Sequence, residues 1–341
     1  MKQPSKATRR LIALVITIAM VLMSFSSILA ATEAEAANTS DFVPGTIEGD
    51  DSIDPNSDVM ILVKVDGTSA LQQTKSVSNA AKVAEKMLAK LPAQIERVET
   101  KLGEKIEVKD QFALLFNGFS FEGKYWMLEE LNKLDGITAF IPAMFEVAAD
   151  DDNGSIVTPN TSNSTVTIGA QEAWDLGYTG EGTFIAIIDT GIRHTHEAFS
   201  VMPTNTKVDV AYLENIVSQY GDLLHCGLDA SQLYYSAKQA FNWDYYDNDY
   251  DPNHTASDHG THVAGIAAGN NGTDFKGVAP DAQLAVMQVF EATGSAYFST
   301  VLKALEDCAY LGVDTINMSL GSAAGFTTPY TSITGLAEAF D

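Results

Sequence analysis

The chain has 341 residues, 45 of them acidic and 20 basic, for a formal net charge of −25. That balance excludes the basic footprint a nucleic-acid binder needs, and favours solubility, cations and basic partners. Two cysteines, Cys226 and Cys308, allow at most one disulfide. Cys308 lies in an apolar helical stretch and reads as a buried free thiol, while pairing with Cys226 stays open in an oxidising compartment.

Residues 1–36 read as an export signal. Lys2, Lys6, Arg9 and Arg10 give a positive start, Leu11–Met23 is a 13-residue apolar core, and Ala34-Glu35-Ala36 offers a small-x-small cleavage site. The core is short for a membrane span, and nothing later is apolar enough for one. The expected location is secreted or extracellular, with cell-envelope association left open. Residues 37–57, rich in Asp, Ser, Pro, Gly and Thr, read as a linker.

A small unit follows over 58–148. Periodicity predicts a strand at Val59–Val65, an amphipathic helix at Val77–Leu91 and a strand at Phe112–Phe116. Extended chain at Phe119–Phe121, a helix at Tyr125–Leu134 and a last strand at Ile137–Val147 complete it. The order β-α-β-β-α-β is that of a ferredoxin-like α+β fold, which many functions share.

Residues 149–341 carry 25 acidic and 5 basic residues, so a difference of −20 of the net charge falls there. Ile168–Trp174 reads as a short helix. Ile185-Ala186-Ile187-Ile188 is a short apolar run, as a buried parallel strand would be, and it ends in Asp189-Thr190-Gly191. Residues 193–257, rich in Tyr, Asp and Asn, read as a long connection. Asp258-His259-Gly260-Thr261-His262-Val263-Ala264-Gly265 then opens a helix at His259, with Gly260 and Gly265 allowing close backbone packing. Gln283–Phe290 (strand), Tyr297–Leu311 (helix), Thr315–Ser319 (strand) and a helix starting near Thr331 follow. Strand and helix alternate, which predicts a parallel sheet with helices on both faces.

An aspartate at a strand's carboxyl end and a histidine at a helix mouth can meet above one sheet. These two motifs in this order, with Gly277-Val278-Ala279-Pro280 beyond, resemble the subtilisin family of serine peptidases. The resemblance implies a subtilisin-like α/β domain, C-terminally incomplete here, and an inhibitory pro-domain at 58–148. Asn117-Gly118-Phe119-Ser120 and Leu134-Asp135-Gly136-Ile137 are similar to that pro-segment. Its tail, Phe145–Asp152, is then expected in the active-site cleft as a product-like strand, with Asp150–Gly154 open to cleavage. All 6 histidines lie at 194 or later, so no imidazole within the pro-domain can trigger its release by pH.

Peptide hydrolysis by a serine needs a nucleophile, a base, and a group fixing the base's tautomer. The resemblance assigns Asp189 as the orienter and His259 as the general base. It makes Gly294-Ser295 and Ser319-Leu320-Gly321 the two edges between which an extended peptide is held as an added strand. Ala296 stands where the family usually has glycine, and Leu320, Phe298 and Val301 are expected to line an apolar pocket. The nucleophile's Gly-Thr-Ser motif and the oxyanion asparagine are absent from the sequence, so 1–341 is expected to be an inactive fragment of a longer precursor.

His194, His196, His259 and His262 could in principle hold zinc. No His-Glu-x-x-His pattern is present, and His262 reads as a buried structural histidine, so no catalytic metal is expected. The run Asp247-Asn248-Asp249-Tyr250-Asp251 suits a structural calcium ion as well as a solvated acidic loop, and Pro252 rules out an EF-hand. The expected partners are peptide or protein substrates and the chain's own pro-domain. Two other readings remain: an aspartic-type protease using Asp189-Thr190-Gly191, and a non-catalytic secreted pseudoprotease that binds peptides in the cleft.

Overall fold

A computed structural model describes residues 53–147, 165 and 167–321, apart from 75, 254–256 and 293. They all belong to one compact unit, Ser52–Asp341. The export signal, most of the linker, the segment Asp150–Gly154 and the helix expected near Thr331 lie outside the described residues.

The first layer is an antiparallel sheet of β1 (Asp58–Val65), β2 (Val108–Phe112), β3 (Gly118–Lys124) and β4 (Ile137–Phe140) in the order β2-β3-β1-β4. Ile61 and Val63 of β1 are buried against Phe119, Phe121 and Ala139, so one pleated face makes the small unit's core. Where one helix is expected there are two, α1 (Val77–Leu88) and α2 (Leu91–Leu102). Pro92 explains the break: it lacks an N–H for a continuing helix but suits a first turn. The short helix α3 (Met127–Leu131) follows β3.

Pro142 also divides the expected strand Ile137–Val147. Before it, β4 pairs with β1; beyond it, β5 (Met144–Val147) leaves for another sheet. The second expected strand, Phe112–Phe116, lies earlier, at Val108–Phe112, and Ala113–Phe116 turn toward the larger layers instead.

The larger layer is a parallel sheet of β6 (Phe184–Asp189), β7 (Gln239–Asp244), β8 (Gln283–Gln288) and β10 (Thr315–Asn317), ordered β10-β6-β8-β7. Every residue of β6, β7 and β8 is buried, as both-face coverage requires. One face, with Ile185, Ile187, Leu284 and Val286, packs on Ala264 and Ala268 of helix α7 (His259–Ala268). The other, with Ala186, Ile188, Phe241 and Met287, packs on Val301, Leu302 and Leu305 of helix α8 (Phe298–Leu311). A short helix α4 (Ala170–Asp175) precedes β6.

The connection 193–257 is more ordered than its composition suggests. It holds α5 (Val210–Tyr220), α6 (Ala230–Leu233) and the inner strand β7. Asp209 starts α5 by accepting the Tyr212 N–H at 2.8 Å. Lys238, before β7, is fully buried and donates to the carbonyls of Ala268, Pro280 and Ala282 at 3.0, 2.7 and 2.8 Å.

The two layers share a core. Leu62, Phe112, Phe116 and Phe140 join the cluster of the parallel sheet. Ala80, Ala81 and Ala84 of α1 pack with Leu223 and Tyr310. Both cysteines are buried and free, and Cys308 Sγ lies 3.3 Å from Met287 Sδ.

Candidate active site

Asp189 ends β6, where the parallel sheet opens, and His259 begins α7, which lies over that end of the sheet. Hydrogen bonds and two glycines hold them together. Thr190 N–H donates to Asp189 Oδ1 at 2.7 Å, and Thr190 Oγ1 accepts the Gly260 N–H at 3.0 Å. One threonine therefore ties the strand end to the first turn of the helix. Thr261 Oγ1 accepts the Arg193 N–H at 2.9 Å, and Arg193 pairs with Asp258 at 2.8 Å across the surface. A Cβ on Gly260 would collide with the Gly191 carbonyl oxygen, and one on Gly191 with the Pro252 carbonyl. Gly191 also has a φ of 83°, in the left-handed region.

That framework brings His259 Nδ1 to 2.8 Å from Asp189 Oδ1. The carboxylate can only accept, so Nδ1 carries the proton and Nε2 is left as the basic nitrogen. Asp189 is 1 % exposed, and burial raises its carboxyl above the usual value; hydrogen bonds from His259 and Thr190 pull it back toward the charged form.

Val289, just past β8, donates its N–H to the Asp189 carbonyl at 3.0 Å, and Glu291 donates its N–H to the Ser295 carbonyl at 2.9 Å. From the Asp189 strand end the chain thus leads to a third sheet, in the order β11-β5-β9. Its outer strands are β9 (Ser295–Tyr297) and β11 (Leu320–Gly321), and β5 runs antiparallel to both. Phe145 pairs with Ala296, Glu146 with Ser295 and Gly321, and Val147 with Leu320. Ser295, Leu320 and Gly321 thus sit on the two edges, with Gly294 in the turn before β9 and Ser319 just ahead of β11. Gly294 has a φ of 89°, and Ser319 donates its hydroxyl to Asn317 at 3.0 Å. Phe145 is buried with Ala296, Phe298 and Val301, its ring 6.4 Å from that of Phe298, and Leu320 packs against the same cluster.

Among the described residues, the other histidines do not join the site. His262 is exposed, which corrects the expectation of a buried one: the helix turns Gly260, Thr261, Ala264, Gly265 and Ala268 inward, and positions 262 and 266 face out. His194 Nδ1 meets Gln239 Oε1 at 2.5 Å and its ring stacks on Tyr235, while His196 accepts the Ala198 N–H at 3.2 Å. Among the described residues no three His, Cys, Asp or Glu side chains gather as metal ligands. In the acidic run, Asp249 and Asp251 each accept the N–H two residues on, at 2.8 and 3.1 Å, so these carboxylates serve turns.

Thr190 and Thr261 were given no role by the sequence reading. Their motif neighbours signal the site, but a hydroxyl that bonds a backbone N–H about 70 positions away leaves no local trace.

Parallel strands with helices on both faces make this an α/β domain, and an aspartate at a strand end with a histidine at a helix start gives it a carboxylate–imidazole pair. Residues 180–339 match the Subtilase family, Peptidase_S8, and that part of the chain is a subtilase-family domain. The minor extracellular protease Vpr of Bacillus subtilis is 28% identical over 86% of this chain and 33% of its own length. The PI-type proteinase of Lactococcus lactis subsp. cremoris is 30% identical over 64% of the chain and 11% of its own length. Subtilisin E of Bacillus subtilis is 31% identical over 44% of the chain and 30% of its own length. The chain therefore spans a third or less of these relatives.

Proposed function

We propose that this chain is the N-terminal part of an exported subtilisin-like serine endopeptidase precursor. The observation that carries the reading is the His259 Nδ1–Asp189 Oδ1 contact at 2.8 Å together with a groove already filled by an antiparallel strand. Asp189 fixes the imidazole tautomer, and His259 Nε2 is the base that takes the proton of a serine hydroxyl and returns it to the leaving amine. That serine and the oxyanion donor come from sequence outside these 341 residues, so residues 1–341 alone should show no peptidase activity.

Residues 58–148 act as the pro-domain, inhibiting in cis. Their strand β5 occupies the groove as a substrate's non-prime side would, with its main chain paired to both edges and Phe145 in the apolar pocket. Substrates are extended peptides or proteins with a large apolar side chain at the position of Phe145. Export follows the signal-like residues 1–36 and the extracellular protease named among the relatives. Among the described residues no helix is long and apolar enough to cross a membrane.

The aspartic-protease reading gains nothing from the geometry, because the Asp189 carboxylate is engaged by an imidazole rather than by a second carboxyl group. The deciding experiment uses the full-length protein, treated separately with a serine-reactive phosphonate and with a transition-state mimic of aspartic proteases. Inactivation by the phosphonate alone is expected. Inhibition by the mimic alone would sink the serine reading, and peptide binding without turnover would favour a pseudoprotease.

A further inference from the structure

A group of buried titratable side chains lies away from Asp189 and His259, where the pro-domain meets the parallel-sheet layer. Glu306 of α8 is its centre. Its Oε1 accepts the backbone N–H groups of Leu115 and Phe116 at 2.7 and 3.4 Å, and its Oε2 meets His225 Nε2 at 3.0 Å. Leu115 and Phe116 belong to the pro-domain; His225 belongs to the connection between β6 and β7.

The groups around the imidazole come from every element packed on it. From α8, Asp307 Oδ1 accepts the His225 N–H at 2.9 Å and Asp307 Oδ2 accepts the Tyr245 hydroxyl at 2.9 Å. Lys303, also on α8, lies 3.3 Å from Asp110 of β2 and donates to the Tyr245 carbonyl at 2.8 Å. Cys226 is the next residue in the chain. The Phe112 ring of the pro-domain sits 5.4 Å from the imidazole and helps to close it from solvent, leaving the side chains of His225 and Glu306 only 11 % and 3 % exposed.

The carboxylate that receives the pro-domain's amides thus takes its counter-charge from a histidine, a side chain whose charge changes near neutral pH. We propose that His225 makes the pro-domain's grip on the peptidase layer pH-dependent, firm while the imidazole is protonated and looser once it is neutral. Protonated, His225 balances Glu306 in a dry seam. Neutral, it leaves Glu306 as a buried anion held by hydrogen bonds alone, and releasing the pro-domain rehydrates that anion. The trigger sits on the peptidase side, and residues 58–148 contain no histidine. The inference rests on reading those residues as the pro-domain.

The direction follows from the surroundings. Burial works against the charged imidazole, but Glu306, Asp307 and Asp110 outweigh it, and the docked His225 lies above its ordinary value of 6.5. Glu306 and Asp307 stay with the peptidase layer on undocking, so docking itself adds the charge of Asp110 and the Phe112 cover over the His225–Glu306 pair. Shut away from water, that pair attracts more strongly, which raises the imidazole further in the docked state. Burial holds the Cys226 thiol and the Tyr245 hydroxyl well above their ordinary values, so both stay neutral across this range. A group raised by docking strengthens it fully below the undocked value and loses that contribution as pH rises through the docked one. Each unit by which docking raises the imidazole loosens the pro-domain about tenfold on the alkaline side.

The test is hydrogen–deuterium exchange of the whole chain between pH 5.5 and 8.5, corrected for intrinsic exchange rates. Protection of the amides at 112–117, taken relative to that of the β6 and β8 amides so that any change in whole-fold stability cancels, should fall about tenfold across that range in the parent and stay level in His225→Gln, which keeps a donor toward Glu306 but does not titrate. Level protection in the parent, or an equal fall in His225→Gln, would overturn the proposal. Glu306→Gln, which keeps an acceptor for both amides, serves if His225→Gln does not fold; a fall that persists there also overturns it. The readout follows docking and not turnover, so a level result leaves the peptidase reading standing, and an inactive full-length protein would not mimic it.

Discussion

His259 Nδ1 lies 2.8 Å from Asp189 Oδ1 although 70 residues separate them in the chain. The distance is set by backbone contacts, not by the two side chains alone. The Thr190 hydroxyl takes the Gly260 N–H, and Gly260 passes so near the Gly191 carbonyl that no side chain fits between. Strand end and helix start are therefore one rigid corner, and the imidazole is oriented before any substrate arrives.

Asp189→Asn tests that orientation. The amide can present N–H to Nδ1, which favours the tautomer with its proton on Nε2 and blunts the base. In the full-length protein kcat should fall about 10⁴-fold with KM little changed, and the melting temperature should not drop. The check is steady-state kinetics on a peptide substrate beside a thermal melt. A loss below about tenfold would mean that Asp189 does not orient the base.

What was legible in the sequence was whatever is coded locally. Ile185–Ile188 announces a doubly covered strand because all its residues are apolar, and Gly260, Ala264, Gly265 and Ala268 announce a helix packed close to a sheet. The inner strand β7 stayed hidden within a connection read as loop, because Gln239, Asn242 and Asp244 give it the polarity of a loop. Each of these is buried and bonded within the fold: Gln239 to His194, the Asn242 amide N–H groups to the Leu233 and Gln239 carbonyls, Asp244 to two backbone amides. Periodicity cannot see partners that lie elsewhere in the chain. The seam of Glu306, Leu115 and Phe116 was hidden for the same reason, since it spans 191 positions.

Asp244 gives a pH dependence that can be signed. It is 2 % exposed at the end of β7, and burial, helped by the charges of Asp247 and Asp249, raises its carboxyl to about 6 against the pull of the Tyr246 and Asp247 amides. The folded protein therefore holds this proton more tightly than the unfolded chain does. The resulting stability is complete below about pH 4 and is lost as pH rises through about 6. Asp244→Asn keeps an oxygen for both amides and removes the titration, so it should be more stable than the parent at pH 8, by about 2–3 kcal/mol. The gap should close toward pH 4.5, as chemical denaturation at the two pH values would reveal. A constant gap would remove Asp244 as its cause.

Lys238 shows how the helix carrying His259 is fastened at its other end. The ammonium is fully buried, and its three N–H groups meet the carbonyls of Ala268 at the end of α7, Pro280 in the following turn and Ala282 just before β8. Burial lowers its pKa to about 8, partly opposed by Asp281, so it keeps its proton at neutral pH and all three bonds persist. Lys238→Met fills much of the same volume with apolar atoms but leaves three buried carbonyls without that donor, at a cost of roughly 3–5 kcal/mol. A drop in Tm of about 10 °C is expected for a unit of this size. Amide exchange should rise first at Gly269, Val278 and Ala279, whose N–H groups bond the last turns of α7, and at Gly277, which bonds the Gly269 carbonyl just beyond them. A drop of less than about 2 °C, with those amides unchanged, would mean that Lys238 does not hold this end of the helix.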